Sequence, residues 1–281
     1  MKIAFWSEQK GAGTTFNLAV TACASVLLHP ISVAIVPGGY HDEQLERKFF
    51  KTVGGSLFGG EPYAGQESFL AAESQEYFFK SGLECLLWKE SREELTERVV
   101  KANMRQVVKD RLYCLPASAR SEQEWWHEDH MFLRMRRVIE AVETYFDVVF
   151  IDCGCRQEDY ARNVLRESDI CVLNMDQEKE SISEFYQNPP QFRGKTFILL
   201  GNYFEDGLYN RKNLQRLYRI EENMLGAMPY NPQLQAACQI GKLKNGLECY
   251  VGDHIKGKNV TFEKELVRTT NLILKLAGVV S

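Results

Sequence analysis

Short apolar runs and longer amphipathic stretches alternate along the chain. Residues 2–7 (KIAFWS), 32–36 and 146–154 have the length and composition of buried strands. Residues 122–145 and 261–277 carry apolar side chains at helical spacing. Repeated strand–helix units with continuously apolar strands are typical of a parallel sheet with helices on both faces. The pattern therefore predicts an α/β fold with a doubly wound, mostly parallel sheet.

The same reading assigns the rest of the chain to shorter elements. Predicted strands cover residues 112–116, 170–176 and 195–203, with a brief strand or turn at 226–231. Predicted helices cover residues 17–28, 41–50, 159–167, 181–186, 209–220 and 232–243, with two or three more within 66–110 and a glycine-rich loop at 52–65. Because no repeat or change of composition marks a boundary, we expect a single domain spanning residues 1–281.

Composition narrows the class of protein. A net charge of −4 argues against a protein that binds nucleic acid over its whole surface. No apolar run is long enough for a transmembrane segment, and the N-terminus lacks the pattern of a secretory signal. The eight cysteines are scattered, and only Cys153 and Cys155 lie close together. They are typical of small buried residues in a reducing compartment, so we expect a cytoplasmic protein.

The N-terminal stretch has the order strand, glycine turn, helix, which is the arrangement that cradles a phosphate. The turn contains Gly11, Ala12 and Gly13. In a gapless alignment on Gly13 with the pattern G-x-x-x-x-G-K-[ST], Thr14 replaces the lysine, and Thr15 keeps a hydroxyl for Mg²⁺. By pattern alone, a strand–turn–helix that binds no ligand remains an alternative.

A second candidate residue ends the strand at 146–154. Asp152 follows a run of apolar residues, and ligands of parallel sheets bind beyond the carboxyl ends of the strands. An acid at this position serves phosphate-loop enzymes as the group that holds Mg²⁺. The alternative is an aspartate that caps the N-terminus of a helix.

Several separate stretches together resemble the ParA/MinD family of P-loop ATPases with a deviant Walker A motif, and within it the TadZ/CpaE-like branch associated with pilus assembly. The stretches are KIAFWSEQKGAGTTFN, FIDCG, LNMDQEKES, LLGNYFEDGLYNRKN and MPYNPQLQAACQIGKL. The resemblance implies a P-loop NTPase-type sheet, ATP with Mg²⁺ as cofactors and a homodimer that encloses the nucleotide.

The resemblance also assigns roles to individual residues. Gly11, Ala12, Gly13, Thr14 and Thr15 correspond to the phosphate cradle, with Thr15 and Asp152 at the metal. Asn202 matches the residue that reads the adenine edge, and Pro229, Tyr230 and Asn231 match the segment around the base. Structural alternatives are a turn cap for Asn202 and a strand end for Pro229.

Two family residues are altered in this sequence. Lys10 is the family's dimer-crossing lysine only if the loop is shortened, because the gapless alignment puts Gln9 there. The catalytic aspartate after the second strand is missing, and Asp42 is at best a displaced substitute. Since phosphoryl transfer depends on neutralising charge, we expect retained ATP binding with weak or absent hydrolysis.

Three functions remain open at the level of the sequence. The first is a nucleotide-dependent dimerising switch that positions pilus or secretion proteins, in the cytoplasm or peripherally at a pole or membrane. The second is a ParA-type partitioning ATPase, whose non-specific DNA contacts would use the basic helix 209–220. The third is a scaffold that has lost nucleotide. The missing lysine favours the first over the second, because partitioning depends on turnover.

Overall fold

The structure is a computed structural model that describes most of the chain. The described residues are 1–38, 44–50, 81–116, 131–155, 159–187, 192, 196–251 and 260–280. The predicted loop 52–65, the candidate residue Asp42 and the first part of the predicted helix 122–145 lie outside them.

Eight strands form one sheet. They are β1 (Lys2–Ser7), β2 (Val33–Pro37), β3 (Arg105–Val108), β4 (Leu112–Cys114), β5 (Val148–Cys155), β6 (Ile170–Met175), β7 (Thr196–Tyr203) and β8 (Leu225–Pro229). Their order is β3-β4-β2-β5-β1-β6-β7-β8. Every neighbouring pair is parallel except β3 and β4. This confirms the predicted mostly parallel sheet.

Helices cover both faces. They are α1 (Thr14–Leu28), α2 (Gln44–Arg47), α3 (Leu83–Glu90), α4 (Glu97–Ala102), α5 (Met131–Tyr145), α6 (Asp159–Glu167), α7 (Lys179–Gln187), α8 (Arg211–Tyr218), α9 (Pro232–Gln239), α10 (Leu243–Glu248) and α11 (Val260–Leu276). One core packs α1, α2, α9, α10 and α11 against the sheet, and the other packs α3 to α8 against its opposite face. Strands buried on both sides account for the unbroken apolar runs of β1 and β5.

Several predicted elements differ from the structure, three of them in kind or extent. Residues 105–108, read as helical, form the antiparallel edge strand β3, which pairs with β4 across a turn containing Asp110 at φ 57°. The predicted helix 232–243 is split into α9 and α10, because Gly241 adopts φ 67° between them. The basic helix is shorter than predicted, since Arg219 leaves the helical region at φ 52°.

The carboxyl ends of the parallel strands share one edge of the sheet. The segments that follow β1, β5, β6, β7 and β8 therefore lie next to one another. No helix among the described residues is both long and apolar enough to cross a bilayer.

Candidate functional site

The loop between β1 and α1 has the backbone geometry of a tight turn. Gly11 and Gly13 adopt φ 90° and 82°, a region that residues with a Cβ rarely enter. The Ser7 hydroxyl donates to the Gln9 carbonyl at 2.9 Å and fixes the start of the turn. Within the described chain, no side chain caps α1, and its first turn carries no acidic residue. The first amide groups of α1 are therefore available to an anion.

A buried amide pair supports this loop. Asn17 on α1 donates through Nδ2 to Asn174 Oδ1 on β6 at 2.9 Å, and Asn174 Nδ2 donates to the Trp6 carbonyl at 3.2 Å. Both asparagines are only 1% exposed. The pair joins α1, β1 and β6 directly below the turn. The sequence analysis did not predict this pair, although Asn17 is a polar residue at the start of the apolar stretch 17–28.

The end of β7 packs tightly against the same loop. A Cβ atom on Gly201 would lie 2.5 Å from the Ala12 carbonyl oxygen and 2.9 Å from Asn17 Nδ2. Real Cβ atoms do not approach backbone oxygens so closely, so only glycine fits here. Residue 202 is consequently held beside the loop.

Asp152 lies near the end of β5 and is 2% exposed. Its Oδ1 atom accepts a hydrogen bond from the Gly154 amide at 3.1 Å, and its backbone carbonyl accepts one from Gly38 at 2.7 Å. It is paired with Phe5 on β1 and with Pro37 on β2. The alternative of a helix cap is wrong, because Asp152 lies within the strand. Its carboxylate belongs to the sheet edge that carries the loop.

The cysteine that follows Asp152 is not suited to binding a metal as a thiolate. Burial raises the pKa of the Cys153 thiol well above its usual range, and the neighbouring Asp152 carboxylate raises it further. Within the ranges that the structure describes, no group of three His, Cys, Asp or Glu side chains is placed to hold a metal ion.

The candidate base-binding residues follow β7 and β8. Asn202 is exposed with φ 47°, and the Tyr230 amide donates to the Tyr203 carbonyl at 3.3 Å. Pro229 ends β8. Asn231 is the N-cap of α9, where its Oδ1 atom accepts from the Leu234 amide at 3.0 Å. The Asn231-Pro232 pair was expected to start this helix, and α9 begins there with Asn231 as its N-cap.

The remaining candidate residues of the loop differ in exposure. Lys10 is exposed, Thr15 is half-buried and Thr14 is buried at the first position of α1. Ala12 is also buried, against Gly201. Asp42 lies outside the described residues and cannot be placed relative to them. The structure therefore brings together the loop, Asp152 and Asn202 at one edge of the sheet.

The basic side chains of α8 and of Arg219 after it are partly engaged in internal ion pairs and partly exposed to solvent. Arg211 pairs with Glu265 on α11 at 3.0 Å, so it contributes to internal packing. Lys212, Arg216 and Arg219 are exposed. The solvated-helix interpretation is sufficient for this arrangement.

Comparison with known proteins gives matches to structures only. No protein-family model matches the sequence, and no curated protein matches it. A ParA family ATPase from Chlorobium tepidum TLS is similar in structure with a TM-score of 0.67 and 13% identity, over 96% of this chain and 98% of that one.

Two MinD structures are also similar. The cell division ATPase MinD of Pyrococcus furiosus has a TM-score of 0.63 and 16% identity, over 98% of both chains. The septum site-determining protein MinD of Pyrococcus horikoshii OT3, complexed with Mg-ADP, has a TM-score of 0.62 and 14% identity, over 99% of this chain and 98% of that one. The chain therefore has the fold of the ParA/MinD P-loop NTPases. Identities this low show the fold alone.

Proposed function

We propose that this protein is a MinD/ParA-like switch that binds ATP with Mg²⁺, forms a homodimer in response and positions pilus or secretion proteins. The observation that carries the proposal is the turn at Gly11 and Gly13, which leads into an uncapped helix beside buried Asp152. Backbone amide groups at such a turn bind phosphate oxygens without a lysine. The TadZ/CpaE-like sequence features support the pilus or secretion role over DNA partitioning.

The metal would be held by oxygen donors. The Thr15 hydroxyl and the Asp152 carboxylate are of the type that Mg²⁺ prefers, and both belong to the edge of the sheet that carries the loop. The bound ion would neutralise charge on the terminal phosphates. This chain's own contribution is to hold the Asp152 carboxylate, because the Gly154 amide donates to Asp152 Oδ1 and the Gly38 amide donates to the Asp152 backbone carbonyl.

Hydrolysis is expected to be slow. Thr14 occupies the gapless position of the lysine that contacts the phosphates, and it is buried at the start of α1. Loss of one group that stabilises transition-state charge typically lowers the rate by a factor of about 10² to 10³. Nucleotide binding then acts mainly as a conformational signal. The exposed residue Lys10 would be the cation that a partner copy can reach.

Calorimetric titration of the full chain with ATP, with and without Mg²⁺, tests the proposal. We expect Mg²⁺-dependent binding in the wild type and loss of that dependence in Thr15→Ala. Lys10→Ala is the matched comparison, because it removes an exposed side chain and should impair dimerisation more than binding. Sedimentation with a non-hydrolysable ATP analogue then reports the dimer.

The outcomes separate the three candidate functions. Absence of binding at millimolar ATP would reject the switch and favour a scaffold that has lost nucleotide. Turnover equal to that of ordinary family members, together with binding to non-specific DNA, would favour partitioning instead. Binding with slow turnover and a nucleotide-dependent dimer supports the proposal.

A further inference from the structure

A small cavity lies between the loop after β1 and the start of α7. It is lined by Glu8, Gln9 and Ala12 from the loop, by residues 173–176 at the end of β6, and by Ser181 on α7. Its enclosed space is about the size of one water molecule, so it admits a single small ion. We call it the loop cavity.

The hydroxyl group of Ser181 has no hydrogen-bond partner among the described residues, although Ser181 is only 7% exposed. Buried serines elsewhere in the chain bond to a carbonyl one helical turn earlier. Ser25 donates to the Thr21 carbonyl at 2.7 Å, and Ser168 donates to the Val164 carbonyl at 2.8 Å. Because a buried hydroxyl group without a partner costs free energy, the position of Ser181 in the wall of the cavity points to a ligand that it binds there.

The charge of the cavity indicates the kind of ligand. Glu8 and Asp176 bring two carboxylates to it, and none of the described residues that line it is a lysine, arginine or histidine. Two carboxylates and a hydroxyl group are oxygen donors, which suit a hard cation such as Ca²⁺ or Mg²⁺. A divalent ion matches the two negative charges, whereas an anion such as phosphate is repelled by them.

The three side chains belong to segments that the fold already holds. The Glu8 carbonyl accepts from the Cys155 thiol at 3.6 Å, so the loop is attached to the end of β5. Asp176 Oδ1 accepts from the Glu178 amide at 3.2 Å in the turn that leads into α7. Ser181 lies in the first turn of that helix. Donors on segments that are already ordered lose little entropy when they bind an ion.

We propose that the loop cavity binds one divalent cation through the Glu8 and Asp176 carboxylates and the Ser181 hydroxyl group, with water molecules completing its shell. The site is separate from the proposed Mg²⁺ site, because neither Thr15 nor Asp152 is among the described residues that line the cavity. The ion would connect the loop to the start of α7 and offset the repulsion between the two carboxylates. Its binding does not depend on the proposed function.

Calorimetric titration of the full chain with CaCl₂ and with MgCl₂, in the absence of nucleotide, tests the proposal. We expect a binding event with a Kd of about 0.1–1 mM for at least one of the two ions, as for weak calcium sites. Asp176→Asn should weaken it at least about tenfold, because even changes in the groups around metal ligands cost about 10–100-fold in affinity. Ser181→Ala should weaken it about two- to tenfold.

Two control variants match these changes. Ser183→Ala removes a hydroxyl group from the same helix, where it lies 3.4 Å from the Tyr218 hydroxyl and not at the cavity. Asp206→Asn removes one exposed carboxylate elsewhere. Both should bind the ion as the wild type does. An equal loss in Asp206→Asn and Asp176→Asn would mean general attraction to a negative surface, which overturns the proposal.

Thr15→Ala distinguishes this site from the nucleotide site. It should lose Mg²⁺-dependent ATP binding and keep the cation affinity of the cavity. Cation binding that Thr15→Ala abolishes and Asp176→Asn leaves intact belongs to the nucleotide site and overturns the proposal. If the wild type binds ATP with Mg²⁺ but neither cation alone, the cavity holds a water molecule only, and the proposed function still stands. Glu8→Gln repeats the test from the loop should Asp176→Asn fail to fold.

Discussion

The side chain of Asn17 donates a hydrogen bond to the side chain of Asn174 across 2.9 Å, in a place where neither residue is more than 1% exposed. This hydrogen bond joins α1 to β6. Asn174 also donates through Nδ2 to the carbonyl of Trp6 on β1. Three elements that surround the loop share this one contact. The loop therefore depends on a buried polar pair.

Removing one member of this pair should destabilise the fold and the loop together. In Asn17→Ala, the Asn174 carbonyl oxygen loses its partner in a buried place, which costs about 1–3 kcal/mol of unfolding free energy. Urea unfolding measures the loss. Asn245→Ala, an exposed change on α10, should alter stability by less than about 0.5 kcal/mol. In the double variant Asn17→Ala/Asn174→Ala, the loss should be smaller than the sum of the single losses, and strict additivity would contradict the pairing.

Gly201 should not tolerate even one additional methyl group. The Cβ of Gly201→Ala would lie 2.5 Å from the Ala12 carbonyl oxygen, which is backbone and cannot rotate away. We expect a loss of about 2–3 kcal/mol in thermal or urea unfolding and weaker ADP binding. Gly278→Ala is the control, because Gly278 has φ 69° but open space around it. That variant should lose about 1 kcal/mol through backbone strain and bind ADP normally.

A hydroxyl group on the last helix bonds both backbone groups of one residue in the edge strand β8. Thr269 on α11 accepts from the Ala227 amide and donates to the Ala227 carbonyl, both at 3.0 Å, and is fully buried. Thr269→Val keeps the shape but leaves both backbone groups of Ala227 without this partner, so we expect a loss of about 1–3 kcal/mol. Thr269→Ser keeps the hydroxyl and should lose less. Equal losses in the two variants would show that packing of the methyl group, and not the hydrogen bonds, dominates.

Stability should fall above pH 9 because several thiols are buried. Burial raises the pKa of Cys23 to about 12 and that of Cys238 to about 11, from an ordinary value of 9.0. The stabilisation is complete below pH 9, where both states keep the thiols protonated. Above it, only the unfolded state releases the protons, so the folded state loses about 1.4 kcal/mol per pH unit for each such thiol until its folded pKa is reached.

Urea unfolding under reducing conditions between pH 8 and pH 10.5 measures this slope. Cys23→Ala should reduce the pH dependence of the unfolding free energy by about 1.4 kcal/mol per pH unit, the contribution of one buried thiol. Cys249→Ser serves as the control, because Cys249 is exposed and should leave the slope unchanged. A slope that is unaffected by Cys23→Ala would contradict the assignment to that thiol.

The sequence was most informative where a pattern depends on local physics. Strands buried on both faces must be apolar throughout, so β1, β5, β6 and β7 were visible as runs, and their alternation with helices implied a parallel sheet. The edge strand β3 was missed because RQVV, with one face exposed, is too short to show a period of two. Its structure comes from pairing with β4, which is a tertiary effect.

The site was predictable only in its backbone elements. Gly11 and Gly13 predicted a turn, because glycine adopts positive φ angles without strain, and both residues have positive φ in the structure. The contact of Gly201 with Ala12 and the pair Asn17–Asn174 join residues far apart in sequence, so no local pattern could reveal them. Asp152 was expected at the end of a strand, and it lies in β5, which continues to Cys155. Asn231 before Pro232 is a local signal for the start of a helix, and α9 begins there with the Asn231 side chain accepting from the Leu234 amide.

The contact between Asn17 and Asn174 spans 157 positions of the chain. During translation, the turn and the first helix therefore leave the ribosome before β6 and β7, the two strands that contact them through Asn174 and Gly201. Until those strands leave the exit tunnel, the turn lacks its contacts with Asn174 and Gly201. If the turn binds phosphate as proposed, binding becomes possible only late in translation, when β6 and β7 have joined the sheet, and a chain interrupted before residue 201 would keep the glycine turn without these contacts.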